Sequence, residues 1–398
     1  MMRRGRTQGT TLADFYASAQ AWAYGICQRV TSGHNWPIAA TALTVAMCLL
    51  MAFPSYQDFR ADPDKAGKTW KAVLLKGKDL GWNVLEAFGP STNAARVNFR
   101  LTGPVLVKTL KLGVPGLVTV LALAGAFLLG ICVWLAGKIC GDKAIGLLAG
   151  IGVAATWAGA TAFCELRGVF DGLALCFLMS ALAFQNPVVI AIFVFLAAWT
   201  DERALVNFPL LLVSMWVLHG DSAEGQASGR ARLKSIAGAV SGFTIHLLSR
   251  AAYARWFGIP HRFDGNGIEV LMNQINNIPM GIWSGLEGGW IIICSAAYLA
   301  WVQGRRIWLA MFLASISLVL VVSFAVVDIS RTTAFLLPAF FAGLAVLRAS
   351  EEAFTVRRIV FLSTLVSVLW PMYYVGGKST IWWVYPLPVQ LIRIAMGR

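Results

Sequence analysis

The chain has 398 residues, of which 58% are hydrophobic and only 13% are charged, whereas soluble globular domains carry about 25% charged residues. This composition, with a mean hydropathy of +0.68, excludes a soluble globular protein and indicates a polytopic membrane protein. Basic residues on the cytoplasmic side and anionic lipid headgroups account for the formal net charge of +14, so we expect no nucleic acid partner.

Long apolar runs predict an all-α bundle of about 11 transmembrane helices. The runs lie near residues 37–53, 114–137, 144–163, 168–184, 187–199, 204–219, 235–257, 288–304, 307–327, 332–347 and 359–377. The tail 380–398 contains two prolines and an aromatic cluster. It is open to two interpretations, a re-entrant or interfacial helix and a short twelfth span.

The basic residues predict a multi-pass membrane protein with its N-terminus in the cytoplasm. Alternation of the spans then places ten basic residues in short cytoplasmic loops, namely Lys138, Lys143, Arg230, Arg232, Lys234, Arg305, Arg306, Arg348, Arg357 and Arg358. The short outer connections hold Arg167, Arg203 and Arg331, each within four residues of an acid. The distribution agrees with the positive-inside rule.

Residues 1–36 are predicted to form a cytoplasmic interfacial amphipathic helix, since residues 8–30 repeat apolar or aromatic side chains every three to four positions. Residues 37–398 are expected to form a single transmembrane bundle. Polar segments interrupt it at a first outer loop (54–113), a cytoplasmic loop (220–234) and a second outer loop (258–287). The first outer loop keeps Trp and Leu at helical spacing, so we expect it to form short amphipathic helices.

Charged residues recur where the predicted spans meet the outer face. They are Glu165, Arg167 and Asp171 around the start of the fourth span, Asp201, Glu202 and Arg203 after the fifth, and Asp328 and Arg331 at the start of the tenth. Each group alone is consistent with a tight turn or a local ion pair. Together with the acids of the first outer loop they predict one wet, polar pocket, because charges at membrane depth face the protein interior and pair up.

Three of these segments carry a family resemblance. The run Phe170 to Leu178 (FDGLALCFL), then Thr200 to Leu205 (TDERAL) with Pro209, resembles the middle of bacterial membrane glycosyltransferases of the GT-C superfamily and their uncharacterised relatives. Asp328 to Arg331 (DISR), followed by Pro338, is similar to a later outer-facing motif of that family. A long first outer loop with acids soon after the first span is a further similarity.

The resemblance implies transfer of a sugar from a polyprenyl-phosphate donor to an acceptor at the outer face of the bacterial inner (cytoplasmic) membrane. Membrane lipid and a polyprenyl-phosphate-linked sugar would then be the partners. By the same resemblance Asp58, then Asp62 and Asp64, are candidates for the general base. Arg100, Arg167, Arg203 and Arg331 are candidates for binding the donor phosphate, with Glu165, Asp171, Asp201, Glu202 and Asp328 as supporting acids.

The first outer loop departs from the family in lacking an adjacent acidic pair, since Phe59, Arg60 and Ala61 separate Asp58 from Asp62. In the family a divalent metal or basic residues stabilise the leaving phosphate, so whether this chain uses a metal stays open. The segment Asp62-Pro63-Asp64 also suits a solvated turn.

His261, Asp264 and Glu269 in the second outer loop are candidates for acceptor binding, although the same residue types suit any polar loop. Two other classes of function stay open. Buried ion pairs in a helical bundle also describe a transporter or lipid flippase, and a non-catalytic membrane assembly protein would not need a reactive site. The position of the ionisable residues discriminates between them, because a transporter needs such groups near the midplane.

Overall fold

The structure, a computed structural model, describes residues 12–53, 63–89, 93–219, 225–259, 267–376, 379–381 and 384–396. The described chain is helical apart from one short hairpin, so the prediction of an all-α fold is confirmed. The hairpin pairs β1 (Tyr374–Gly376) with β2 (Ser379–Ile381) in antiparallel register, Tyr374 opposite Ile381.

The helices follow the apolar runs of the sequence closely. In the first half they are α1 (Leu12–Thr31), α2 (Trp36–Met51), α3 (Pro63–Lys78), α4 (Val84–Phe88), α5 (Thr102–Leu110), α6 (Val114–Cys140), α7 (Lys143–Ala154), α8 (Trp157–Cys164), α9 (Asp171–Ala183) and α10 (Pro187–Thr200). In the second half they are α11 (Arg203–Val206), α12 (Phe208–Leu218), α13 (Gly225–Phe257), α14 (Gly267–Gln274), α15 (Ile278–Leu286), α16 (Gly289–Val302), α17 (Arg306–Phe324), α18 (Ile329–Thr333), α19 (Leu337–Ser350), α20 (Ala353–Leu369) and α21 (Leu387–Ala395).

Polar residues at the helix starts fix where the apolar helices begin. The Asp142 carboxylate accepts the backbone N–H groups of Ala144 and Ile145 at 2.8 and 3.3 Å, and the Asn186 side-chain oxygen caps α10 in the same way. Such caps satisfy N–H groups that have no partner within the helix. Proline at the first or second position of α10, α12 and α19 adds a residue whose φ already suits a helix.

The core lies at the centre of the bundle, where α7, α8, α9 and α19 are buried along almost their whole length. The pair α7 and α8 bends by 62° at a two-residue break, residues 155–156. Trp157, the first residue of α8, is fully buried beyond that break. The bend therefore turns α8 into the interior and carries the end of α8 toward the charged residues described below.

The sequence has more apolar runs than the structure has helices long and apolar enough to span a membrane. Within the described residues three qualify, α6, α17 and the stretch Ile329–Ser350, and up to five if each bent helix pair counts as one span. Helices such as α9, with 13 residues, are short against the roughly 20 residues that cross a bilayer. The finding supports a protein with several apolar helices able to span a membrane, and the total of about 11 spans stays a prediction.

Two segments predicted as connections between spans, 220–234 and 258–287, are largely helical within their described parts. Within 220–234, helix α13 already begins at Gly225, because Ala, Gln, Arg, Leu and Lys in that stretch are favourable or neutral in helices. Within 258–287, the described part forms α14, a short 3₁₀ turn and α15. The first outer loop contains α3, α4 and α5, and residues 54–62 lie outside the described part of the chain.

Candidate functional site

The charged residues converge because successive helices end and begin at the same end of the bundle. Glu165 and Arg167 follow α8, Asp171 begins α9, and the triplet 201–203 joins α10 to α11. Asp328 precedes α18, which carries Arg331, and Arg100 lies just before α5. Residues distant in sequence therefore meet in one cluster, which we call the ion-pair network: Arg100, Glu165, Arg167, Asp171, Asp201, Glu202, Arg203, Asp328 and Arg331.

Asp171 lies at the centre of the network and joins its two halves. Its Oδ1 accepts a hydrogen bond from Arg203 Nη2 at 2.7 Å and from Arg331 Nη2 at 3.0 Å, and its Oδ2 accepts from Arg331 Nε at 2.6 Å. Asp171 is 1% exposed. Two guanidinium groups on one carboxylate compensate the cost of burying its charge.

The triplet 201–203 and Arg100 form the half of the network that opens to solvent. Arg203 binds the Asp201 carboxylate through Nε and Nη2 at 2.8 and 2.7 Å. Arg100 donates to both carboxylate oxygens of Glu202 at 2.8 and 2.7 Å and lies 3.0 Å from Asp201 Oδ2. The Glu202 side chain is 41% exposed, so this acid is the most solvent-accessible member of the network.

The other half of the network joins Glu165, Arg167, Asp328 and Arg331. Arg167 binds Glu165 through Nε and Nη2 at 2.8 and 2.7 Å, and Arg331 Nη1 donates to Asp328 Oδ2 at 2.6 Å. Arg331 Nε also lies 3.9 Å from Glu165 Oε2. Pairs between residues two or three apart in sequence are therefore present. Arg331 connects them to Asp171, which is distant from it in sequence.

Gly168 lets the segment after Arg167 pass close to α3. Its φ is +80°, and a Cβ at this position would lie 3.1 Å from the backbone N of Trp70. Both the backbone conformation and the space favour glycine. Next to this contact the Trp70 indole N–H donates to the Leu166 carbonyl at 2.8 Å, which fixes α3 against the network.

Tyr374 of the hairpin was not among the predicted site residues. Its hydroxyl donates a hydrogen bond to Asp328, and the Arg167 guanidinium lies 5.5 Å from the centre of its ring. Only the protonated phenol can donate to a carboxylate, so this contact fixes the role of the Tyr374 hydroxyl as a donor. Sequence spacing gives no signal for this contact, since β1 lies 46 residues beyond Asp328.

The network is internally paired and mostly buried, and only its edge at Glu202 and Arg167 reaches solvent, so it is less open than the predicted wet pocket. Arg100, Asp201, Arg203 and Arg331 are between 0% and 6% exposed. Four guanidinium groups face five carboxylates, so the network carries a formal charge of −1. In a medium of low dielectric constant opposite charges gain more by pairing than by remaining hydrated separately.

This pairing changes what the predicted phosphate-binding residues can do. The guanidinium groups of Arg203 and Arg331 point at Asp171, Asp201 and Asp328. A phosphate would have to displace a carboxylate to bind either one. Arg100 holds Glu202, and its own pKa, which burial lowers, is raised overall by Asp201 and Glu202. The pKa of Glu202, which burial raises, is lowered overall mainly by Arg100, so Glu202 is a weak base.

Two further arginines lie beside the solvent-facing half and were missed in the sequence. Arg96 lies on the 3₁₀ helix Asn93–Asn98, and its side chain forms no hydrogen bond or ion pair with a described residue. Burial first, and the Arg100 charge second, lower its pKa. Arg250 of α13 stacks on Phe99, its guanidinium carbon 4.3 Å from the ring centre, and interacts electrostatically with Glu202. The four-residue spacing of Arg96 and Arg100 could have been a signal, whereas Arg250 lies far from both in sequence.

The remaining candidates lie away from the network or outside the described residues. Asp58 and Asp62 fall within 54–62, and His261 and Asp264 fall within 260–266, so the structure does not describe them. Asp64 belongs to α3, but its side chain is outside the described part. Glu269 is exposed on α14. Among the described residues no group of three or more His, Cys, Asp or Glu side chains could hold a metal ion.

Comparison of the chain with known protein families, with curated proteins and with solved structures gives no match. The likeness to GT-C glycosyltransferases therefore rests on the motifs around Asp171, Asp201 and Asp328 and on the long first outer loop, and it stays a prediction.

Proposed function

We propose that this protein is a membrane enzyme of GT-C type that transfers a sugar from a polyprenyl-phosphate donor to an acceptor at the outer face of the inner membrane. The proposal includes about 11 spans and a cytoplasmic N-terminus. The observation that carries it is the ion-pair network, in which acids and arginines from four separate segments gather at one end of the helices. The three motifs of the family resemblance all contribute to it.

In this proposal the network is the scaffold of the site, and the reacting groups lie at its solvent-facing half. The side chains of Arg96 and Arg250 interact with Glu202 at longer range but form no ion pair with a described carboxylate. In this proposal they bind the donor phosphate beside Glu202 and Arg100. Guanidinium groups suit phosphate oxygens, and they stabilise the negative charge that grows on the leaving phosphate.

The reaction needs a base for the acceptor hydroxyl, and Asp58, Asp62 and Asp64 are the candidates. The base takes the hydroxyl proton while the acceptor oxygen forms a bond to the anomeric carbon of the sugar. The bond from that carbon to the phosphate oxygen breaks, and its electron pair leaves with the polyprenyl phosphate. Such general base catalysis contributes about 10²–10⁴-fold to the rate.

The test compares Asp58→Asn with Asp79→Asn in membranes supplied with polyprenyl-phosphate sugars. Asp79 is an exposed acid of the same loop whose side chain accepts the Gly81 N–H at 2.9 Å, a role that asparagine can keep. We expect Asp58→Asn to lower sugar transfer by about 10²-fold or more and Asp79→Asn to leave it unchanged.

Asp62→Asn and Asp64→Asn are measured in parallel, because either residue could be the base. If all three variants transfer sugar as the parent does, the assignment of the base to this loop is wrong. If the parent itself transfers no sugar from any polyprenyl-phosphate donor, the proposed function fails.

A transporter or flippase is the second candidate, and two bent helix pairs favour it. The pair α7 and α8 bends by 62°, and the stretch Gly267–Leu286 meets α16 at 89°. Broken helices of this kind form substrate sites in many transporters. Movement of a labelled lipid-linked substrate across vesicles that contain the purified protein, without sugar transfer, would favour this candidate.

A further inference from the structure

A groove lies between α3 and α5 at the start of α6, separate from the ion-pair network. Its volume is about 760 Å³. The two helices approach closely at one end, where a Cβ on Gly77 would lie 2.5 Å from the Val107 side chain. The apolar part of the lining consists of Trp70, Leu74, Leu75, Val107, Leu112 and Val114.

The charged part of the lining is entirely basic. Lys71, Lys78, Lys108 and Lys111 line the groove, and no lining residue is an Asp or Glu. All four lysines are exposed, and none of their side chains forms an ion pair or hydrogen bond with a described residue. Four ammonium groups around an apolar trough repel one another, so an anion bound between them would lower the electrostatic energy.

The groove lies beside a helix that is long and apolar enough to cross a bilayer. Helix α6 begins at Val114, three residues after Lys111, and has 27 residues. A lysine one turn before such a helix lies at the depth of lipid headgroups, with acyl chains beside the apolar residues that follow it.

We propose that this groove binds an anionic phospholipid. The lysines hold the headgroup phosphate, and the acyl chains lie along the apolar trough. Charge complementarity selects this occupant, because a zwitterionic lipid would bring a cation against the four lysines. The inference does not depend on sugar transfer, since none of the groove residues belongs to the ion-pair network.

The experiment uses the full chain, purified in a neutral detergent and mixed with dioleoyl phosphatidylglycerol or dioleoyl phosphatidylcholine. Native mass spectrometry counts the lipids that each variant retains across a titration. The variant Lys71→Gln/Lys108→Gln/Lys111→Gln removes three groove charges. The control Lys68→Gln/Arg230→Gln/Lys234→Gln removes three charges from exposed positions outside the groove.

We expect the parent to retain phosphatidylglycerol in preference to phosphatidylcholine. The groove variant should bind phosphatidylglycerol about 100-fold more weakly, since each of the three lysines removed contributes about fivefold near an anionic headgroup. The control should stay within about twofold of the parent. High salt should weaken the binding in the parent. Thermal denaturation of all three proteins verifies that they are folded.

Three results would overturn the inference. The first is equal retention of the two lipids by the parent, and the second is an equal loss in the groove variant and the control. The third is displacement of the lipid by millimolar inorganic phosphate, which would show that the site recognises the phosphate ion alone.

Discussion

Arg203 links the solvent-facing half of the network to its buried centre. It binds Asp201 and Asp171, and its guanidinium carbon lies 5.3 Å from the centre of the Phe335 ring. A buried ion pair is weak evidence of stability in itself, because the cost of desolvation offsets the attraction. Removing one partner is different, since it leaves a carboxylate buried without its compensating charge.

We therefore expect Arg203→Ala to lower the free energy of unfolding by about 3–5 kcal/mol. Arg203→Lys should lose less, because it keeps the charge although not the bidentate geometry. The exposed Arg305→Ala is the matched control and should change stability by less than about 0.5 kcal/mol. Denaturation in detergent measures all three, and a loss in Arg203→Ala no larger than in the control would contradict the network's structural role.

Arg96 and Arg250 allow donor binding to be tested apart from stability. Neither forms an ion pair with a described carboxylate, and Glu202, with which both interact at longer range, keeps its direct pair with Arg100. Arg96→Gln and Arg250→Gln therefore leave no buried acid without a partner. Each substitution should raise the KM for a polyprenyl-phosphate donor by about tenfold, the scale of one charged hydrogen bond. Arg255→Gln, an exposed residue of the same helix as Arg250, is the control. Unchanged donor affinity in both variants would remove these arginines from the site.

At the scale of helices, small residues decide how closely α10 and α13 pack. A Cβ on Gly238 would lie 2.4 Å from the Pro187 carbonyl oxygen, and one on Gly242 would lie 2.3 Å from the Ala191 carbonyl oxygen. These glycines are four residues apart and so share one face of α13. The spacing is a known signature of close helix packing in membranes, and it could have been found in the sequence.

A buried lysine of α3, Lys76, contacts the segment that follows α3 and helix α13. Lys76 Nζ donates to the Trp82 carbonyl at 2.5 Å and lies 5.4 Å from the centre of the Tyr253 ring. The Tyr253 hydroxyl in turn donates to the Leu80 carbonyl at 2.5 Å. Burial lowers the pKa of Lys76 to about 8 from its ordinary value of 10.5, despite the opposing effect of Asp79.

This pKa predicts how stability depends on pH. Between pH about 8 and 10.5 the unfolded chain keeps a proton that folded Lys76 releases, so stability rises with pH in that window. Below pH 8 both states are protonated and the full cost of burying the charge is present. As the pH rises through this window, we expect the melting temperature of the parent to increase relative to that of Lys76→Met. The exposed Lys68→Met should follow the parent in parallel, and parallel curves for Lys76→Met would contradict the burial of a charge there.

At the scale of the whole molecule, the proposed orientation places the ion-pair network outside and the short basic loops inside. Six of the seven cysteines are buried and only Cys294 is exposed, so a Cys294→Ser background suits labelling with a membrane-impermeant maleimide. Glu86 and Arg306 are exposed and lie on opposite sides in the proposed topology.

We expect Glu86→Cys to be labelled in intact cells with a permeable outer membrane, and Arg306→Cys only after lysis. Labelling of Arg306→Cys in intact cells would contradict the orientation. The Cys294→Ser protein without a new cysteine is the control for background labelling.

Much of the site was predictable because acids and arginines are conspicuous in an apolar chain. Asp171, Asp201, Arg203, Asp328 and Arg331 could be singled out since their charges are costly at membrane depth. Which charge pairs with which could not be predicted, because Asp171 contacts Arg203 and Arg331, which lie 32 and 160 residues away. Tyr374 and Arg250 were missed for the same reason, as neither stands in a charged motif.

The sequence by itself determined that the chain is helical and apolar. Hydrophobic runs bounded by polar caps leave few other ways to form the hydrogen bonds of the backbone N–H and C=O groups. It also determined the approximate bounds of most helices. Only the tertiary structure decided that the charges are closed into pairs and that α3 and α5 leave a basic groove. Those features depend on where helix ends meet in space, and a one-dimensional pattern of residues does not specify such distances.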